Sequence, residues 1–334
     1  MTAVDNDVYD IIVIGAGPAG LFGTFYAGLR QMKTLLIEAL PEPGGQLAVL
    51  YPDKYIFDVA GYPRILAREL VQALWEQATQ YGPMLRFGER VTRLERGEDN
   101  LLRVGTEQGN YRARSVLIAA GIGAFAPNRL NHPGLERLEE RGVYYFVRDK
   151  SIFQGKRVLV VGGGDSAVDW ALALAGYASR VILMHRRDSF RAHEHSVAQV
   201  MANPAIEKWI PWEIKEVHGD TRLEAVTVFN NQNGAEATLE LDAVLLNLGF
   251  KADLGGIAGW GLQLNKRAIV VDGCMATNLP GVYAAGDIAA PQHGPALNLI
   301  VTGFAQAALA VNCAKNYINP AARIFPGHSS ERQA

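Results

Sequence analysis

A short motif that occurs twice restricts the possible folds more than any other feature. Residues 9–14 (Tyr-Asp-Ile-Ile-Val-Ile) are a β-branched apolar run, and Gly15-Ala16-Gly17-Pro18-Ala19-Gly20 follows at once. Residues 21–31 read as a helix with small residues on one face, and residues 33–38 as a second strand ending in Glu38. Strand, glycine turn, helix and strand in that order open a parallel sheet. The order returns with a strand at 157–161, the turn Gly162-Gly163-Gly164-Asp165-Ser166-Ala167, a helix at 168–177 and a strand at 180–185. Two such units predict an α/β protein with two Rossmann-like nucleotide-binding domains.

Between the copies lie a helical segment near 66–81 and alternating segments near 91–104 and 111–118; more alternation runs from 223 to 248. Crossings at Ala119-Ala120-Gly121 and Asn247-Leu248-Gly249 would make the first domain discontinuous, 1–119 with 250–319, and the second an insertion, 120–249. Residues 320–334, with Pro320, Pro326 and Gly327, read as an irregular C-terminal extension.

Gly is frequent, 35 of 334 residues, and often falls in pairs and triplets, as tight phosphate-binding turns require. A net charge of −2 gives no reason to expect nucleic acid or an anionic membrane as partner. The N-terminus carries Asp5, Asp7 and Asp10 before the uninterrupted apolar stretch that starts at Ile11, unlike a signal peptide. The uncharged stretch at 288–314 is broken by Pro291, Pro295 and Asn298, so we read it as a loop and a buried helix, not a membrane span. Cys274 and Cys313 are far apart and read as ordinary thiols of a cytoplasmic protein.

Each turn has the strand-before, helix-after context that gives a glycine motif its meaning. Gly15 serves the tight turn, Gly17 admits a pyrophosphate, Gly20 lets helix and strand pack, and Pro18 and Ala19 open the helix whose N–H groups face the phosphates. Glu38 can accept both ribose hydroxyls and would repel a 2′-phosphate, so this site suits FAD or NAD. The second turn, Gly162, Gly164, Asp165, Ser166 and Ala167, leads to a strand ending in His185, Arg186, Arg187 and, after a short loop, Arg191. Guanidinium forks match phosphate oxygens, which points to NADP(H). His193-Glu194-His195 is read as a plain loop and not as a metal site. Near the C-terminus, Gly286-Asp287-Ile288 follows a short strand; an acid there can bond a ribityl hydroxyl and favours FAD over NAD in the first domain.

In this order, the motifs resemble those of the low-molecular-weight thioredoxin reductase family over nearly the whole chain. One departure is decisive. The family's Cys-x-x-Cys pair, before the second glycine turn, corresponds here to Tyr145-Phe146-Val147-Arg148. Cys274 and Cys313 stand elsewhere and form no such pair, so a disulfide relay has no chemical basis in this chain. The chain is similar instead to the cysteine-less branch, the thioredoxin-reductase-like ferredoxin/flavodoxin–NADP⁺ reductases, notably at Gly44-Gly45-Gln46-Leu47 and through 50–61. The resemblance implies FAD contacts from Gly45, Gln46, Val91, Phe125, Ser329 and Ser330. It implies Tyr51 and His328 on opposite flavin faces, and a homodimer whose tails reach the partner's flavin. It also implies hydride transfer from NADPH to the flavin, then single electrons to ferredoxin or flavodoxin. A basic docking rim would draw on Lys54, Arg64, Arg68, Arg186 and Arg191. Two other readings differ from this one. An NAD(P)H oxidase would consume oxygen with no partner added, and a non-catalytic regulator would hold a flavin that NADPH cannot bleach.

Overall fold

The computed structural model describes residues 3–52, 54–121, 123–145, 147 and 149–328. The chain divides into two compact units, 1–125 with 252–334, and 126–251. It passes between them through the strands Ala124–Pro127 and Phe250–Asp253, which pair with each other.

The first unit is built on a seven-stranded sheet. Its parallel part runs in the spatial order Met84–Arg86, Thr34–Ile37, Ala3–Ile14, Gly109–Ile118 and Val282–Ala284. Ile11, Ile12, Val13, Leu35, Leu36, Val116 and Leu117 are fully buried in these strands. Strands covered on both faces need such continuous apolar runs. An antiparallel meander, Val91–Arg96, Leu102–Thr106 and Gly109–Ile118, completes the sheet. Helices Pro18–Leu29, Ala67–Thr79 and Ile300–Ile318 pack around it. The third of these accounts for much of the long uncharged stretch. Among the described residues no helix is long and apolar enough to cross a membrane.

The second unit repeats the design. Its five parallel strands run Val143–Tyr144, Ala243–Leu246, Arg157–Val161, Arg180–Met184 and Ile206–Trp209. A three-stranded antiparallel sheet, Trp212–His218, Ala225–Asn230 and Glu236–Glu240, takes the place of the first unit's meander. The helices are Asp165–Leu174 and Glu194–Ala202. His193-Glu194-His195 therefore opens a helix and does not form a plain loop. Among the described residues no group of three metal-ligating side chains occurs.

Candidate functional site

In the first unit the glycine turn joins the central strand to helix Pro18–Leu29 at the carboxyl end of the sheet. Gly15 sits at φ 104°, where a Cβ would stand 2.5 Å from the Ala119 carbonyl oxygen. A Cβ on buried Gly20 would stand 1.8 Å from the Gly15 oxygen. Gly17 differs: nothing lies within 4 Å of its missing Cβ, and it caps the helix with no side-chain hydrogen bond. Open space over uncapped helix N–H groups is what a phosphate needs.

Glu38 closes the adjoining strand. Its carboxylate is buried and accepts the N–H of Ala16 at 2.6 Å and of Leu40 at 2.8 Å. Burial pushes its pKa up, against the lowering effect of the bonds from Ala16, Leu40 and Ala39. The acid thus braces the turn from the end of the adjoining strand.

A cleft of about 1490 Å³, including its open mouth, extends from this turn. Gly15, Gly17, Pro18, Ala19, Glu38, Gly45, Gln46, Tyr51, Val91 and Asp287 all line it. Gln46 donates from Nε2 to Asp287 Oδ2 at 3.0 Å, joining two motifs 241 positions apart. Burial raises the Tyr51 phenol's pKa, with help from the Asp287 and Asp58 charges. The Gly286 N–H is held by Gln306 Oε1 at 2.8 Å, which fixes the Asp287 turn to the C-terminal helix.

Some expected residues lie elsewhere. The Ile288 side chain is buried in the hydrophobic core and does not line the cleft, so only its main chain could face a ligand. His328 is exposed, rests edge-on against Phe325, and is absent from the cleft lining. Phe325 is 64% and Ile324 45% exposed, and among the described residues of the tail none lines the cleft. The Phe125 side chain, Ser329 and Ser330 fall outside what the structure describes. Leu254, Gly255, Gly256, Ile257 and Trp260, which none of the motifs above marks, also line the cleft. Gly255-Gly256 just past the second crossing was the available signal.

In the second unit, Gly162 at φ 151° would place a Cβ 2.3 Å from the Asn247 carbonyl oxygen. Gly164 matches Gly17: it caps helix Asp165–Leu174, with nothing within 4 Å of a Cβ and no side-chain cap. Asp165 and Ser166 are exposed in the first turn of that helix, and Ala167 is buried beneath it. The Asp165 carboxylate accepts the His193 N–H at 2.9 Å, and the Arg191 N–H bonds the Gly163 carbonyl at 2.7 Å. Both bonds fold the arginine loop back over the glycine turn.

The His185 ring packs where a Gly163 Cβ would be and stacks on Phe190 at 5.1 Å. Burial lowers its pKa, and the charges of Arg187, Arg186 and Arg191 lower it further, so the ring is neutral near pH 7. All three arginines are exposed, and among the described residues none has an ion-pair partner. The nearby Asp188 carboxylate is engaged by Gln232. Asn247 Nδ2 is buried beside the turn with no hydrogen-bond partner. Such a group is costly unless a ligand satisfies it.

The profile of the pyridine nucleotide-disulphide oxidoreductase family matches residues 9–312. A ferredoxin–NADP reductase of Sulfurisphaera tokodaii is 53% identical over 325 residues, 97% of each chain. One of Thermus thermophilus is 52% identical over 332 residues, 98% of each chain. The crystal structure of Lactococcus lactis thioredoxin reductase superposes with a TM-score of 0.76 at 30% identity, covering 93% of this chain and 99% of the other. The fold is thioredoxin reductase-like, and the chain belongs to the pyridine nucleotide-disulphide oxidoreductase family, among relatives named ferredoxin–NADP reductase.

Proposed function

We propose that this chain is a cytoplasmic, FAD-dependent ferredoxin/flavodoxin–NADP⁺ reductase that works as a homodimer. The observation that carries this reading is the opposite charge at two otherwise equivalent places: buried Glu38 beside the first glycine turn, and Arg186, Arg187 and Arg191 beside the second. Relatives at 52–53% identity that carry the ferredoxin–NADP reductase name support it.

FAD supplies the chemistry when bound, taking a hydride from NADPH and releasing electrons singly. The chain's own residues bind and orient. The N–H groups after Gly17 hold the pyrophosphate, Glu38 the adenosine ribose, and Asp287 with Gln46 the ribityl side. Tyr51 offers its ring to the isoalloxazine. In the second unit, residues 126–251, the N–H groups after Gly164 hold the NADPH pyrophosphate and the arginines its 2′-phosphate. Asn247 Nδ2 is the buried donor left for the nicotinamide half. No side chain has to act as a general acid or base.

The exposed Ile324, Phe325 and His328 suit a tail that crosses to the partner subunit's cleft. Lys54, Arg64 and Arg68 are exposed around the hairpin Tyr55–Ile56 and Ile65–Leu66 in the first unit, a basic edge for an acidic redox protein. Steady-state NADPH oxidation tests the proposal: turnover should depend on added ferredoxin or flavodoxin. Turnover no greater with either protein than with oxygen alone would remove it.

A further inference from the structure

The two cysteines, 39 positions apart, meet in the first unit with their sulfurs 2.7 Å from each other, inside van der Waals contact. Cys274 lies in a tight turn after strand Ala268–Val271. Asp272 pins that turn, its Oδ1 accepting the N–H of Cys274 at 2.8 Å and of Ala276 at 2.9 Å. Between them Met275 is held at φ 60°, a left-handed conformation that a side-chain-bearing residue adopts only under such constraint. Cys313 sits in the last third of helix Ile300–Ile318, buried against Tyr283. The turn is therefore built to present one sulfur to the other. Neither cysteine lines the nucleotide cleft.

We infer that Cys274 and Cys313 form a reversible thiol–disulfide couple that staples the C-terminal helix to the turn at residues 272–276. The reaction is exchange with a small-molecule disulfide. Cys274, the partly exposed member, attacks one sulfur of the reagent. A Cys274–reagent bond forms, the reagent's S–S bond breaks, and the first reagent thiol leaves with the Cys274 proton. Cys313 then attacks the Cys274 sulfur, the mixed disulfide breaks, and the second reagent thiol leaves with the Cys313 proton. One disulfide is reduced and one formed. Burial first, then the Cys274 sulfur, pushes the Cys313 thiol up to about 12, which makes it the slower, resolving partner.

The position gives the couple a consequence. Tyr283 touches both sulfurs' surroundings from strand Val282–Ala284, which leads directly to Gly286 and Asp287 in the cleft. Helix Ile300–Ile318 lines the cleft with Ile300 and Gly303 at its other end. Closing the staple ties together two elements that carry the same cleft wall. In a reducing cytoplasm the pair rests as thiols, and oxidation closes it.

The test uses the FAD-loaded full chain, incubated with oxidised glutathione or with a reducing thiol. We expect two titratable thiols when reduced and none when oxidised. The intact mass should fall by two hydrogens, and a cross-linked peptide should join Cys274 to Cys313. The oxidised protein should unfold roughly 5–10 °C higher, because a loop of this length is closed in its unfolded state. Cys313→Ser should hold glutathione on Cys274 as a stable adduct and lose the shift, while NADPH-dependent ferredoxin reduction stays at the reduced wild-type rate. Two thiols that persist under oxidation, a wild-type chain that accumulates only glutathione adducts, or a closed disulfide with unchanged unfolding temperature would each overturn the inference. The three outcomes that would overturn it are read from thiol counts, adduct masses and unfolding temperatures, not from turnover, so they stand apart from the proposed reductase activity.

Discussion

The two glycine turns solve the same backbone problem and then part company at the next strand. Both use a left-handed glycine pressed against a neighbouring strand's end, Gly15 on Ala119 and Gly162 on Asn247. Both leave the helix-capping glycine, Gly17 or Gly164, facing open space. Beyond that, the first unit places a buried carboxylate and the second three exposed guanidinium groups. The two units share a backbone arrangement suited to phosphate and differ in a few side chains at one strand end, on which the proposed choice of nucleotide rests.

The largest effects separate packing glycines from ligand-facing ones. Gly20→Ala and Gly162→Ala drive a methyl into backbone and should cost the affected unit its fold, read as loss of cooperative unfolding. Gly17→Ala and Gly164→Ala meet nothing in the protein. They should unfold near wild type, yet purify without FAD or fail to bind NADPH, respectively. A Gly17→Ala protein with full flavin content would show that no phosphate approaches there.

The arginines come next. A hydrogen bond to a charged group contributes about 1.5–3 kcal/mol, or roughly 10–100-fold in affinity. Arg186→Ala or Arg191→Ala should therefore raise the KM for NADPH by about that factor and leave the KM for NADH unmoved. A KM that rises equally for both would place the arginine elsewhere on the nucleotide.

Glu38 gives a pH signature of the first unit. Its folded pKa is raised, so its contribution to fold stability is present at low pH and lost as pH rises through the folded value. Cofactor binding has the opposite sign, because the ionised acid is the better acceptor for ribose hydroxyls. FAD affinity should fall on acidification, beginning at a higher pH than a surface glutamate near ~4.3 would give. Glu38→Gln should bind FAD about 10-fold more weakly at pH 7 and lose this pH dependence, measured by flavin fluorescence. The smallest effect is expected at Tyr51. Tyr51→Ala should weaken FAD by roughly 2–10-fold, the range of one aromatic stacking contact.

The turns were legible because their signals are local: strand, glycines, helix and strand-end charge follow one another within residues 9–38 and 157–191. Helix Ile300–Ile318 was legible too, since Pro291, Pro295 and Asn298 break the apolar run before it. The wall formed by Leu254–Trp260 was not, because it reaches the cleft only after the chain returns through residues 250–253. The meeting of Cys274 with Cys313 depends on the same long-range return and carries no spacing signature. The side-chain placement of Ile288 was not legible because neighbouring residues in a turn point opposite ways: Asp287 lines the cleft and Ile288 packs in the core.

The contrast between the units is tested most directly by anaerobic reduction of the flavin-loaded protein with NADPH and with NADH, followed by rapid mixing across a range of concentrations. The expected apparent Kd for NADPH is at least about 100-fold below that for NADH, with near-equal values once Arg186, Arg187 and Arg191 are all replaced by alanine. Equal affinities in the unaltered chain, or a preference that survives the triple replacement, would contradict it.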